Sequence, residues 1–134
     1  MIRKLNHVAI AVPDLDVAVT LYRTTFGAKV SDRVELPEQG VTLVFVEFED
    51  TKVELMEPLG EASPIGPFLE RNISGGIHHI CYEVSDMHEA IAQLQKVGMR
   101  ILDGSTPSVG AHGKPVVFLH PKDNFGTLVE LEEA

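Results

Sequence analysis

Two histidines and two glutamates occupy matching places in the two halves of this chain. His7 opens the segment HVAIAVPDLDVA and His79 opens the similar segment HICYEVSDMHEA, while Glu54 and Glu130 each lie in a VEL triplet. The offsets are 79 − 7 = 72 and 130 − 54 = 76 residues, so the spacing is nearly kept. Imidazole and carboxylate are ligands for divalent ions. The repeat therefore predicts a metal site to which each half contributes one histidine and one glutamate.

The duplication, rather than any single residue, favours the metal over a structural role. A glutamate on a buried sheet face needs a partner, because burying an isolated carboxylate is costly. Four such residues that converge would satisfy one another through a cation, and the donor set suits Co, Mn, Ni, Fe(II) or Zn. Four protein ligands would leave two octahedral positions for a bidentate substrate.

The elements that would hold these residues repeat as β-α-β-β-β. Asp14 and Asp86 are placed to cap the helix in each half. A module of this kind has a sheet face that it cannot cover alone, so the two copies must pair. The predicted fold class is α+β, with two paired β-α-β-β-β modules forming a curled mixed sheet around a metal-binding cleft. The predicted elements are strands at 5–12, 28–36, 41–49 and 52–57 with a helix at 15–26, then strands at 77–84, 99–103, 115–120 and 126–132 with a helix at 87–97.

Length and composition are those of one globular domain. The chain has 134 residues, 44% of them hydrophobic and 23% charged, which is enough to bury a core without disulfides. We expect residues 1–134 to form a single domain. Within it, module one covers about 1–58, a linker about 59–76 and module two about 77–134.

Charge and cysteine content exclude several classes of partner. A net charge of −9 argues against binding nucleic acid or an acidic membrane surface, and no apolar run approaches the length of a membrane span. Cys81 is the single cysteine, so no intrachain disulfide can form, and its expected role is that of a small buried side chain. We expect a cytoplasmic protein.

Six segments spread over the chain carry a family resemblance. They are LNHVAIAVPDLDVA, LYRTTFGA, PEQGV, VELMEPLG with the SPI and FL that follow it, SGGIHHICYEV, and GAHGKPVVFLHPKDNFGTLVELE. With them the chain resembles the vicinal oxygen chelate superfamily and, within it, the methylmalonyl-CoA epimerase family. The last segment, PEQGV and GGIHHI are the specific ones, and the resemblance covers essentially the whole length.

The resemblance implies an isomerase of propionate metabolism that interconverts (R)- and (S)-methylmalonyl-CoA through an enolate. It implies one divalent ion, cobalt first, with Mn, Ni, Zn or Fe as alternatives, held by His7, Glu54, His79 and Glu130. Glu54 stands where the family often has glutamine. A metal that chelates the thioester oxygen and a carboxylate oxygen would stabilise the enolate. A coenzyme A thioester and a second copy of the chain are the implied partners.

Epimerisation also needs a base on one face of C2 and an acid on the other. Several bacterial epimerases carry a glutamate just after PEQGV, where this chain has Leu43. We predict that Glu47 replaces it, because a two-residue turn would place Glu47 directly opposite Glu54. An exposed glutamate beside a turn is the alternative. Glu130 is a second catalytic candidate, as a ligand that also moves a proton. Glu57 is a weaker one, because alternation points it away from Glu54.

The coenzyme A tail carries phosphates and needs local positive charge. Lys114 and Lys122 flank the segment that follows the glycine-rich loop 104–114, and Arg71 lies in the linker. His112, within that loop, is a further candidate for substrate contact. We therefore predict Lys114, Lys122 and His112 as substrate-binding residues.

Other functions are compatible with the same scaffold. A glyoxalase-type isomerase would use a similar ligand set. A ring-cleaving dioxygenase uses two histidines and one glutamate, so a fourth ligand at Glu54 counts against it. A non-catalytic binding module would need no metal ligands. Metal content of the purified protein separates the enzymes from the binding module.

Overall fold

The computed structural model describes residues 1–134, which form two compact units. The first unit comprises residues 7–78, and the second comprises residues 79–134 together with residues 1–6. No helix has both the length and the apolar character needed to cross a membrane. The strands and helices are β1 (Ile2–Ala11), α1 (Leu15–Thr20), β2 (Lys29–Val30), β3 (Val34–Leu36), β4 (Val41–Glu47), β5 (Lys52–Pro58), α2 (Gly66–Arg71), β6 (Gly76–Val84), α3 (Met87–Lys96), β7 (Ser108–Val109), β8 (Pro115–Leu119) and β9 (Val129–Glu133).

The first unit is a mixed sheet with helix α1 on one face. Its strands follow the order β2-β4-β5-β1, and β3 also pairs with β4. Strands β1 and β5 are parallel and the other pairs are antiparallel. The helix side is filled by the apolar side chains Leu15, Val19, Val44, Val46 and Leu55. Side chains alternate along a strand, so the odd-numbered residues of β1 and the even-numbered residues of β5 lie on the face opposite helix α1. That face carries His7 and Glu54.

The second unit repeats this plan. Its strands follow the order β6-β9-β8-β7, with β6 and β9 parallel and the other pairs antiparallel. Helix α3 covers one face, and its apolar stripe packs with residues of β8 and β9. The predicted α+β fold class, with strands and helices in two similar modules, is confirmed. The buried residues of this core are Val84, Met87, Ala90, Leu94, Val117, Leu119, Val129 and Leu131.

Two acidic residues hold the start of each helix, in the same way in both units. Asp14 and Asp86 are the predicted caps, and each accepts a hydrogen bond from the amide three residues further on. Glu57 and Glu133 each accept a 2.8 Å hydrogen bond from the first amide of α1 or α3. Each lies three residues after its VEL glutamate. The repeated motif is therefore V-E-L-x-E, and its second glutamate accepts a hydrogen bond from the first amide of a helix.

Two predicted elements of the first unit differ from the structure. The helix expected over 15–26 is α-helical only to Thr20, and it continues as a wider π-helical turn over Leu21–Thr25. The strand expected over 28–36 is split into β2 and β3. Ser31 interrupts it because its backbone N–H and its hydroxyl both bond to the backbone of Phe45, at 2.8 Å each.

One predicted strand of the second unit is wrong. Residues 99–103 make a single bridge, between Ile101 and Leu119, and the chain then forms a 3-10 turn at Leu102–Ser105. Asp103 adopts a left-handed backbone with φ 58°, which ends extended pairing there.

Candidate metal centre

In the first unit, His7 and Glu54 come together on adjacent parallel strands. Glu54 of β5 is aligned with Ala9 of β1, two residues beyond His7. Both side chains are almost fully buried, and Nε2 of His7 lies 3.9 Å from Oε2 of Glu54. The edge of one ring meets the face of the other where His7 contacts Phe45, with 5.8 Å between the ring centres. Phe45 is aligned with Glu54 across β4 and β5.

The second unit contains the same arrangement. Nε2 of His79 lies 3.9 Å from Oε1 of Glu130, and both residues are buried. Phe118 is aligned with Glu130 across β8 and β9, and its ring meets that of His79 edge to face at 5.5 Å. Each unit thus holds a His–Glu–Phe set, and the phenylalanines are 118 − 45 = 73 residues apart.

The geometry of each pair fits a shared metal ion better than a direct hydrogen bond. A distance of 3.9 Å exceeds the 2.7–3.2 Å of a normal N–H···O bond. Two ligand atoms that each lie about 2.1 Å from one ion are separated by roughly 3–4 Å. All four residues are buried and of metal-ligand type. Nitrogen and carboxylate donors in equal number suit a borderline divalent ion.

The local electrostatics also favour a cation beside Glu130. Burial raises the pKa of this carboxyl to about 7. The hydrogen bond with Cys81 lowers the pKa and the neighbouring charge of Glu132 raises it, each by less than burial does. A positive ion would favour the ionised form and offset this cost. Cys81 is fully buried, and its contact with Glu130 is one that the sequence did not predict.

Glu132 carries a second buried network in the same unit. It follows Glu130 by two residues on β9, so both side chains lie on one face of the strand. The Nδ2 of Asn6 donates to its Oε1 at 3.3 Å, and Nδ1 of His112 lies 3.0 and 3.1 Å from its two oxygens. His112 was predicted as a substrate contact, whereas Glu132 and Asn6 were not predicted at all.

The structure does not place Glu47 opposite Glu54. Strand β4 ends at Glu47 and β5 begins at Lys52, so the connection covers residues 48–51 and the two end residues pair with each other. The predicted two-residue turn is therefore wrong, and Phe45 takes the position across from Glu54. Glu47 is half exposed, and its carboxylate lies 3.2 Å from Nζ of Lys29. Glu47 therefore lies at the end of β4, at the rim of the sheet face that carries His7 and Glu54.

Glu57 is turned away from this face, as alternation predicted. One of its oxygens accepts the first amide of helix α1 and the other lies 3.8 Å from Arg33. Leu43 is buried on the same face as Phe45, since the two are separated by two residues on β4. Neither position offers a carboxylate to the metal-ligand face.

The predicted coenzyme A contacts lie at the surface of the chain. Nζ of Lys114 donates to the backbone carbonyl of Ala134 at 3.1 Å. Lys122 is exposed in a 3-10 turn, where its amide donates to Nδ1 of His120 at 3.1 Å. Arg71 is exposed at the end of α2. The structure does not bring these cations together within one cluster of contacts.

The fold and the repeated His–Glu pairs define a class of protein. The family model of the glyoxalase/bleomycin resistance protein/dioxygenase superfamily matches residues 6–118. The chain belongs to this superfamily.

Similar proteins of known function show which family of the superfamily the chain belongs to. The chain is 57% identical to the ethylmalonyl-CoA/methylmalonyl-CoA epimerase of Cereibacter sphaeroides, over 99% of both chains. It is 55% identical to the mitochondrial methylmalonyl-CoA epimerase of Homo sapiens, over 98% of this chain and 74% of that protein. Within the superfamily it therefore belongs to the methylmalonyl-CoA epimerase family. The predictions of this family and of an isomerase are confirmed.

Solved structures agree with this assignment. A methylmalonyl-CoA epimerase from Mycobacterium tuberculosis superposes with a TM-score of 0.91 at 33% identity, over 98% of this chain and 88% of that one. A methylmalonyl-CoA epimerase in complex with methylmalonyl-CoA and NH4+ superposes with a TM-score of 0.90 at 34% identity, over 100% of this chain and 96% of that one.

Proposed function

We propose that this chain epimerises methylmalonyl-CoA at C2, with one divalent ion held by His7, Glu54, His79 and Glu130. The observation that carries the proposal is the twofold His–Glu–Phe set, with the same 3.9 Å separation in both units. The family to which the chain belongs, and a relative bound to methylmalonyl-CoA, support the substrate.

The reaction removes a proton from a carbon that lies between a thioester and a carboxylate. A divalent ion held by these four residues would supply positive charge to stabilise the enolate oxygen. The carboxylates of Glu54 and Glu130 would offset the charge of that ion. The rings of Phe45 and Phe118 pack on the imidazoles of His7 and His79, so they hold these ligands in position and keep water from them.

Glu130 stays our candidate for one of the two groups that move the C2 proton. Its carboxylate is buried and hydrogen-bonded with Cys81, so its position is fixed. For Glu47 the geometry that suggested a catalytic role is absent. We keep it only as a position to test, because its carboxylate is held at the rim by Lys29.

The substrate class extends to coenzyme A thioesters of short 2-alkylmalonates. The Cereibacter sphaeroides relative is named for both ethylmalonyl-CoA and methylmalonyl-CoA, so both should be assayed. Lys114, Lys122 and Arg71 are our candidates for the phosphates of the coenzyme, and His112 for the acyl end. Alanine at one of these cations should raise KM and leave kcat near the wild-type value.

The deciding experiment measures inversion and metal together. Purified protein is stripped with chelator, reloaded with Co(II), and given (R)- or (S)-methylmalonyl-CoA in deuterated water. We expect deuterium at C2 and conversion to the other epimer, with one metal ion per chain by elemental analysis. His79→Ala should lose both the metal and the activity. His88→Ala is the matched control, because His88 is exposed on α3 and should lose neither.

A second assay of the same purified protein distinguishes an epimerase from a glyoxalase-type isomerase. The hemithioacetal of methylglyoxal and glutathione is offered under identical conditions. Turnover of that compound without deuterium exchange into methylmalonyl-CoA would indicate a glyoxalase-type isomerase and contradict the proposal. A chain that binds no divalent ion under any condition would contradict it as well.

Three further properties stay proposals. Cobalt is our first candidate for the ion, and loading with Mn, Ni, Zn or Fe tests it. A homodimer is expected, and light scattering after gel filtration measures it. A cytoplasmic location is our third proposal, and cell fractionation tests it, since the human relative is mitochondrial.

A further inference from the structure

An epimerase must remove a proton from C2 on one face of the planar enolate and return a proton on the other face. These two steps require two acid–base groups, or one such group and solvent. Glu47 and Glu57 are held by Lys29 and by the start of α1. A group other than these two carboxylates is therefore needed for one face of the enolate.

Such a group is His112, which contacts Glu132 on the strand that also carries Glu130. Glu132 is buried, and it lies about 7 Å further along one face of β9, at two residues of roughly 3.3 Å each. A buried carboxylate needs hydrogen-bond donors, and Asn6 and His112 provide them. His112 contacts both oxygens of Glu132, at 3.0 and 3.1 Å, while about a third of its own side chain stays exposed.

This contact determines which nitrogen of His112 carries the hydrogen. The carboxylate of Glu132 already accepts the amide of Asn6, so it acts as an acceptor and Nδ1 of His112 donates to it. The same arrangement orients the imidazole. Proton exchange with a ligand then occurs at Nε2, the nitrogen on the other side of the ring.

The loop that carries His112 is built to reach Glu132. A tight turn is closed by hydrogen bonds from Gly110 N to Lys114 O at 2.9 Å and from Gly113 N to Gly110 O at 3.0 Å. Gly113 has φ +72°, a conformation that favours glycine. A Cβ on Gly110 would lie 2.7 Å from Cγ1 of Val116, so only glycine lets the loop lie this close to β8.

We propose that His112, oriented by Glu132 and Asn6, is the proton-transfer group on one face of the substrate. This inference rests on the proposed function. In one direction the C2–H bond breaks, its electron pair stays in the enolate, and the proton forms an N–H bond at Nε2 of His112. The opposite face of the enolate then takes a proton from the second acid–base group, for which Glu130 is our candidate, and solvent restores the protonation state of both groups. In the reverse direction, protonated His112 returns its proton to C2. Glu132 and Asn6 are positioning residues.

The test uses the metal-loaded full chain in deuterated water. His112→Ala should lower the rate of inversion by about 10²- to 10⁴-fold, the usual contribution of one acid–base group. One epimer should still exchange its C2 hydrogen at close to the wild-type rate, because the other face is intact. The other epimer should lose exchange. Imidazole added to His112→Ala should restore part of kcat.

Two variants separate this role from a structural one. Glu132→Gln should lower kcat more than it changes KM and leave the metal content intact. Asn6→Ala should have a smaller effect of the same kind. Inversion by His112→Ala within about threefold of wild type would overturn the proposal. Equal loss of exchange from both epimers would also overturn it, since that indicates a damaged site. Absence of epimerisation in the wild-type chain would instead contradict the proposed function itself.

Discussion

Replacing Glu130 by glutamine should change the stability of the chain in opposite directions with and without metal. In the metal-free chain burial raises the pKa of Glu130 from 4.5 to about 7. A carboxyl whose pKa is higher in the folded state favours folding below its unfolded pKa. That contribution is lost as the pH rises from about 4.5 to about 7. Ionised Glu130 therefore destabilises the metal-free fold at pH 8.

The size of the effect follows from the pKa difference. A change of 7 − 4.5 = 2.5 pH units corresponds to at most about 3 kcal/mol in the free energy of unfolding. For a chain of this length that is at most roughly 10 °C in Tm. In chelator, Glu130→Gln should gain stability relative to wild type as the pH is raised from 4 to 8. With excess Co(II) at pH 8 the order should reverse, because the ion binds and stabilises the folded wild type and the variant lacks a ligand.

Thermal unfolding followed by circular dichroism measures all four combinations of pH and metal. Glu61→Gln is the control, because Glu61 is exposed and the change removes a surface charge alone. An identical Tm difference at pH 4 and pH 8 in chelator would refute the reasoning about burial. A variant that stays more stable than wild type in saturating Co(II) would refute the assignment of Glu130 as a ligand.

Three other substitutions test separate parts of the structure. Glu47→Gln should leave C2 exchange within about threefold of wild type, because Lys29 holds this carboxylate at the rim; a loss above about a hundredfold would restore it as a base. Glu57→Gln should cost about 1 kcal/mol in urea unfolding, through the start of α1, at unchanged kcat; an equal loss of kcat would contradict a purely structural role. Gly110→Ala should lower kcat at unchanged metal content, since its Cβ would collide with Val116; a normal kcat would show that the loop tolerates the displacement.

The parts of the fold that are predictable from the sequence are those with a strong local pattern. Alternation places His7 and His79 on strands, and Asp14 and Asp86 have the spacing of helix caps. The duplication identifies both glutamates of the VEL triplets. The phenylalanines that pack on the histidines were not predicted, although a VF pair recurs at 44–45 and 117–118. Their offset of 118 − 45 = 73 residues, against 79 − 7 = 72 for the histidines, is the signal in the sequence that identifies them.

The predictions that differ from the structure concern connections between strands, where a small change in length alters which residues of the strands pair. The turn after Glu47 has Phe48 and Glu49 in it as well as the two residues that were expected. Composition does not show where a strand ends, and a shift of the last pair placed Lys52, not Glu54, opposite Glu47. The contact between His112 and Glu132 joins residues 20 apart through a glycine turn, and periodicity gives no sign of it.

The two halves of the chain differ at the positions of His112 and Glu132, which form a contacting pair in the second half. With the offset of the phenylalanines, 112 − 73 = 39 and 113 − 73 = 40, so His112 corresponds to Gln39 and Gly113 to Gly40. Both glycines have a positive φ, +72° and +67°, as equivalent turns would require. With the offset of the metal-ligand glutamates, 132 − 76 = 56, and Glu132 corresponds to Met56.

The first half therefore has glutamine and methionine, which do not titrate, at the positions where the second half has histidine and glutamate. Duplication gives each half an equal share of the proposed metal ligands, whereas only the second half has the histidine that we propose as the proton-transfer group. The substitution His112→Gln, which gives the second half the residue that the first half has at this position, should accordingly leave C2 exchange in one epimer and abolish it in the other, while metal binding persists.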